Sequence, residues 1–151
     1  MRASHWPYYA AECRQLVEEL AIPDVTFTGV VNTREYIGKM DMLVLSSLSE
    51  GQPLAILEGF AAKKPFIATN VGNCAGLLEG EFDDWGQAGY IVPIMSVSQM
   101  ARAMLRMAAD AKKRQEMGEI GYRRVQAFYD QSEIYRKYAQ LYRRMIEQSQ
   151  E

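Results

Sequence analysis

The sequence predicts an α/β protein: a Rossmann-like parallel sheet with helices on both faces. Three observations carry that expectation. Short β-branched or apolar runs at 25–28, 41–46, 66–69 and 89–92 alternate with segments of helical period, the pattern of parallel strands joined by crossover helices. The chain has 151 residues, 48% of them hydrophobic and 24% charged, the size and balance of one globular domain with a sizeable core. A Gly-Gln-Pro turn separates the apolar strand 42–45 from an apolar helix, so it stands at the carboxyl end of a strand, where open α/β sheets bind ligands.

In chain order, apolar spacing predicts a helix over 8–20, stopped near Pro23. The β-branched strand 25–28 then ends at Gly29. A short helix over 33–40 leads into the strand 41–46. Pro53 suits the first turn of the next helix, where its absent N–H costs nothing, and 54–62 continues it. Lys63 and Lys64 before Pro65 end that helix with cations suited to a helix carboxyl terminus. A strand over 66–69, a short helix over 73–79, a polar loop over 81–87 and a strand over 89–92 follow. Helices over 97–109, 111–129 and 131–148 complete the chain, with Gly118, Gly121 and Asp130 expected to interrupt them. Right-handed crossovers are the default for such a sheet.

Composition excludes several function classes. The net charge of −2 gives no global field for nucleic acid, and the Arg- and Lys-rich last third reads as solvated helix faces. Cys13 and Cys74 lie far apart with no metal-ligand spacing, and His5 is the single histidine, so a zinc site or a Cys-His nucleophile has little to be built from. No signal peptide and no apolar run of membrane-spanning length stands out. A cytoplasmic protein with reduced thiols is expected, with Cys74 as a buried structural thiol.

The chemistry concentrates in residues 49–59, Ser-Glu-Gly-Gln-Pro-Leu-Ala-Ile-Leu-Glu-Gly. Glu50 and Glu58 stand eight positions apart across the turn. An ionised carboxylate accepts hydrogen bonds at both oxygens and suits the paired hydroxyls of a sugar. The first N–H groups of the helix that begins near Pro53 are unpaired and favour an anion, with phosphate the natural candidate. Two plainer readings compete: Glu50 as a cap of that helix, and Glu58 as a solvent-facing position.

With Val-Thr-Phe-Thr-Gly before it and Ile-Ala-Thr-Asn-Val-Gly after it, this stretch resembles the donor domain of GT-B glycosyltransferases, and within them the retaining family 4. The run Ser-Glu-Gly-Gln-Pro-Leu-Ala-Ile-Leu-Glu followed by Asn-Val-Gly-Asn-Cys is similar to the glycosyltransferase of Pel exopolysaccharide systems. The resemblance is strong over 25–80 and looser elsewhere. It implies that Glu50 meets the transferred hexose and stabilises charge near its ring, and that Glu58 binds the ribose of a nucleotide. Backbone around Gly51, Gln52, Pro53 and Leu54 would lie against sugar and diphosphate, with Phe27, Gly29 and Val30 flanking the base. The implied reaction moves a hexose from a nucleotide sugar, UDP-glucose as first choice, to a hydroxyl acceptor with retained configuration. It uses no metal and no cofactor. Asp83 and Asp84, in the polar loop between helix and strand, are read as a surface turn.

Two departures from the family pattern matter. Its donor domain begins with two further strand-helix units that supply basic residues for the diphosphate, and an N-terminal acceptor domain precedes it. Residues 1–151 are therefore expected to be a partial nucleotide-sugar-binding domain without transfer activity alone. In the strand order 3-2-1-4-5-6 the four runs would be strands three to six. The gap would be closed by repacking of the 25–28 strand or by a second copy at exposed edges. The helix 131–148 carries Ile134, Tyr138, Leu141, Tyr142 and Met145 on one stripe, for the N-terminal domain or for this domain's own sheet. A GT-B nucleotide-sugar epimerase and a non-catalytic α/β interaction module stay open as alternatives.

Overall fold

The computed structural model describes residues 7–148, so His5 lies outside them. The chain divides into two compact units, Met1–Arg34 and Glu35–Glu151.

In the first unit, helix α1 (Pro7–Glu19) ends in a Schellman arrangement. Ile22 N–H donates to Val17 O at 3.0 Å and Ala21 N–H to Glu18 O at 3.1 Å, with Ala21 at φ 47°. A left-handed residue closes helices this way, usually glycine. The strand expected at 25–28 does not form: these residues have no regular structure and are exposed. A strand is stable only against a ladder partner, and 25–28 pairs with none among the described residues.

In the second unit, α2 (Thr33–Tyr36) enters from the first and tightens into a 3-10 turn, Ile37–Lys39. The sheet follows as β1 (Leu43–Leu45), β2 (Phe66–Thr69) and β3 (Gly89–Val92), ordered β1-β2-β3 and parallel throughout. Leu43 faces Phe66, and Ile67 faces Tyr90. This is the adjacent trio expected as strands four to six. Between the strands lie α3 (Leu54–Ala61) and a wide π turn, Gly76–Gly80, in place of the end of the helix expected over 73–79. After β3 come α4 (Val97–Ala109), α5 (Ala111–Phe128) and α6 (Gln131–Gln148).

Central β2 is buried at every position, as a strand covered on both faces must be. Phe66 and Ala68 point toward Ile56 and Phe60 of α3 and Ile120 and Val125 of α5. Ile67 points the other way, toward Met100, Ala103 and Met107 of α4.

Gly118 and Gly121 do not interrupt α5, which runs unbroken to Phe128. A Cβ on Gly118 would stand 2.2 Å from Lys63 O, and one on Gly121 2.5 Å from the Phe60 ring. They are contact glycines that let α5 lie close on α3. Asp130 does separate two helices. Its Oδ1 accepts from the N–H groups of Ser132 at 2.8 Å and Glu133 at 3.3 Å, the work of an N-terminal cap. Helix α6 buries no residue, so the reading in which its stripe packs on this domain's own sheet does not hold.

Candidate functional site

The connection from β1 to α3 is fixed by the connection that leaves β2. Thr69, 3% exposed at the end of β2, donates its hydroxyl to Ser47 O at 2.5 Å, with a longer approach to Leu45 O at 3.4 Å. Ser47 Oγ in turn donates to Glu50 Oε1 at 2.6 Å. Farther along, Asn73 N–H donates to Gly51 O at 2.9 Å and its side-chain amide to Gln52 Oε1 at 3.0 Å. Gly72, at φ 49°, permits the approach: a Cβ there would lie 2.2 Å from Glu50 O. Backbone that comes this close leaves room for no side chain.

Pro53 is buried and sits at the N-cap of α3, with φ −73° and ψ 100°, one residue earlier than the sequence suggests. No side chain caps this terminus; Glu50 is engaged by Ser47 instead, which removes its reading as a helix cap. Ile56 N–H reaches Pro53 O at 3.1 Å, so the N–H groups before it are the unpaired start of the helix. Gly51, Gln52 and Leu54 are exposed around it, Glu50 is half-buried, and Glu58 is exposed between buried Ile56 and Gly59. The turn thus offers two carboxylates, an amide side chain and free backbone donors on one strand-turn-helix. Cys74 is buried beside it, and its thiol pKa is pushed up first by burial and then by the negative charge of Glu50.

Six expected site residues, Glu50, Gly51, Gln52, Pro53, Leu54 and Glu58, therefore lie on one continuous segment. Phe27, Gly29 and Val30 belong to the first unit. There Gly29 has φ 64°, Val30 is exposed, and the Arg14 guanidinium lies 4.6 Å from the Phe27 ring centroid, a cation–π distance. Ser47, Thr69 and Asn73 are site-building residues that the sequence reading missed. The available signals were a Ser three positions before a Glu and a Thr closing a strand.

On the face of the sheet that carries α4, at the carboxyl ends of the strands, opens a groove of about 290 Å³ lined by Ser46, Leu48, Thr69, Met95, Met100 and Met104, among others. At the other end of β3, Asp83 corrects the surface-turn reading. It is buried against Arg124, whose guanidinium donates to both carboxylate oxygens at 2.7 Å and to Leu77 O and Gly86 O at 2.7 and 2.9 Å. Asp84 is exposed. No helix among the described residues is long and apolar enough to cross a membrane.

Comparison with solved structures finds the same architecture. Sucrose-phosphate synthase from Thermosynechococcus elongatus superposes with a TM-score of 0.81 at 28% identity, over 91% of this chain and 34% of that one. The C-terminal domain of a group 1 glycosyl transferase, LpcC, from Francisella tularensis does so at 0.68 and 24% identity, over 85% and 66%. Among curated sequences, a UDP-Gal:α-D-GlcNAc-diphosphoundecaprenol α-1,3-galactosyltransferase of Escherichia coli is 27% identical, over 70% of this chain and 35% of that protein. The N-acetyl-α-D-glucosaminyl L-malate synthase of Bacillus anthracis is 28% identical, over 85% and 33%. The chain thus spans about a third of the length of these two curated relatives. Its three parallel strands with helices on both faces are the Rossmann-like layer of GT-B glycosyltransferases. The family described as glycosyl transferases group 1 matches residues 5–110, a span that contains the entire Ser47–Glu58 segment, and the chain belongs to that family.

Proposed function

We propose that this chain is the donor-binding part of a retaining glycosyltransferase that moves a hexose from a nucleotide sugar to a hydroxyl acceptor. The observation that carries the reading is the held turn at Glu50, which presents a fixed carboxylate beside the open N-terminus of α3. Glu50 lies against the hexose hydroxyls and stabilises the charge that develops as the bond to the diphosphate lengthens. The free N–H groups at the start of α3 receive the diphosphate, and Glu58 takes the ribose hydroxyls. Gly51, Gln52, Pro53 and Leu54 form the surface between them.

The donor is UDP-glucose and the acceptor a growing polysaccharide, by resemblance to family 4 and to the Pel exopolysaccharide enzymes. No metal or cofactor takes part, and the setting is the cytoplasm. The acceptor is oriented by an N-terminal domain that the exposed stripe of α6 braces, and orientation supplies much of the rate of a bimolecular transfer. The 151 residues alone therefore bind donor without turning it over. The outer edge of β1, unpaired among the described residues, is where a second copy would add if the chain stands alone.

Calorimetric titration of the purified chain with uridine, adenosine and guanosine diphosphates, repeated with Glu58→Ala, tests the reading. Saturable binding of uridine diphosphate that the substitution abolishes supports it. Equal binding by both proteins, or none at millimolar ligand, contradicts it.

A further inference from the structure

We propose that Ser47 and Thr69 are positioning residues for the Glu50 carboxylate, linked in a relay that runs from the buried end of β2 to the ligand-facing turn. The inference rests on the donor-site reading of Glu50. A glutamate side chain has several rotatable bonds, and an exposed one samples several rotamers. Glu50 is restrained by the hydroxyl of Ser47, 2.6 Å from Oε1. One bond occupies one of about four lone-pair sites of a carboxylate, so the group is oriented and still able to accept from a ligand.

Ser47 is held in turn. Its carbonyl accepts from the Thr69 hydroxyl at 2.5 Å, and Thr69 is itself anchored in β2 opposite Val92 of β3. Thr69 points to the face that carries α4 and lines the apolar groove there, so its hydroxyl has backbone carbonyls as partners. Only the Ser47 hydroxyl donates to the carboxylate itself, and hydrogen bonds to a charged acceptor are about twice as strong as neutral ones. Thr69 acts one step back, by fixing the backbone that carries Ser47.

The test uses the whole chain with Ser47→Ala, Ser47→Thr, Thr69→Val and Thr69→Ser. Three-bond carbon couplings of Glu50, read by nuclear magnetic resonance without ligand, report its χ1 rotamer. We expect one rotamer in the wild type, averaging in Ser47→Ala and Thr69→Val, and a single rotamer again in Ser47→Thr and Thr69→Ser. With ligand, Ser47→Ala should weaken UDP-glucose by about tenfold and leave uridine diphosphate unchanged, because the hexose alone meets Glu50. Should Thr69→Val fail to fold, the Ser47 pair carries the test. Unchanged couplings in Ser47→Ala, or equal losses for both nucleotides, overturn the positioning role. Absence of nucleotide binding by the wild type overturns the donor reading instead, and the couplings then decide the positioning by themselves.

Discussion

Arg124 and Asp83 form a two-pronged ion pair inside the protein, with Nε to Oδ2 and Nη2 to Oδ1 both at 2.7 Å and side chains 2% and 3% exposed. The guanidinium also donates to the carbonyls of Leu77, Leu78 and Gly86. It thereby joins α5 to the π turn and to the loop that feeds β3. Removing one partner would strand the other charge in the interior, which costs about 3–5 kcal/mol. Asp83→Ala should accordingly lower the chemical-denaturation midpoint sharply, whereas Asp84→Ala, on the exposed neighbour, should shift it little.

The same pair sets a pH dependence. The bond from Arg124 holds the Asp83 carboxyl below its ordinary range. A carboxyl whose pKa is lower in the folded than in the unfolded chain contributes stability above the unfolded value, about 3.9. That contribution is lost as pH falls through the folded value. Denaturation curves from pH 6 down to pH 2 should therefore fall more steeply below about pH 4 in the wild type than in Asp83→Asn.

Gly118 gives a prediction whose sign opposes helix propensity. Alanine in place of a helical glycine ordinarily stabilises by about 1 kcal/mol. Here the added Cβ would meet the Lys63 carbonyl oxygen at 2.2 Å, and overpacking of this kind costs about 1–3 kcal/mol. Backbone cannot swing aside as a side-chain tip can, so the clash wins. Thermal melting should show Gly118→Ala destabilised; a higher midpoint would mean that α5 stands farther from Lys63 than the structure has it.

Helix α6 gives the contrary case. It buries nothing, while Tyr138 and Tyr142 stack with centroids 6.4 Å apart on an exposed surface. Ending the chain at Asp130 should leave the melting midpoint within a few degrees of the full chain and improve solubility, because an exposed apolar stripe is removed. A large loss of stability would show that the stripe has a partner within the chain.

Periodicity made β1, β2, β3 and helices α3 to α6 legible, because each carries its pattern within a few residues of itself. The 25–28 strand was misread because its β-branched residues satisfy the local rule, whereas a ladder requires a second strand. Gly118 and Gly121 were misread as breaks, since their reason lies in Lys63 and Phe60, more than fifty positions away in sequence. Asp83 reads as a surface residue in the sequence because its partner, Arg124, is 41 positions distant. At the site, Glu50 and Glu58 were legible from spacing and resemblance. Ser47, Thr69 and Asn73 were not, since their value comes from the side-by-side placement of β1 and β2.

The measurement that bears most directly on the central claim is a titration of isotopically labelled protein with UDP-glucose, followed through its backbone amide resonances. Saturable shifts should concentrate at Gly51, Gln52, Leu54, Ala55 and Glu58. Amides of the Arg124–Asp83 region, at the opposite end of β3, should stay in place. Shifts confined to other surfaces, or none at saturating nucleotide sugar, would contradict the claim that the Glu50–Glu58 turn is the donor site.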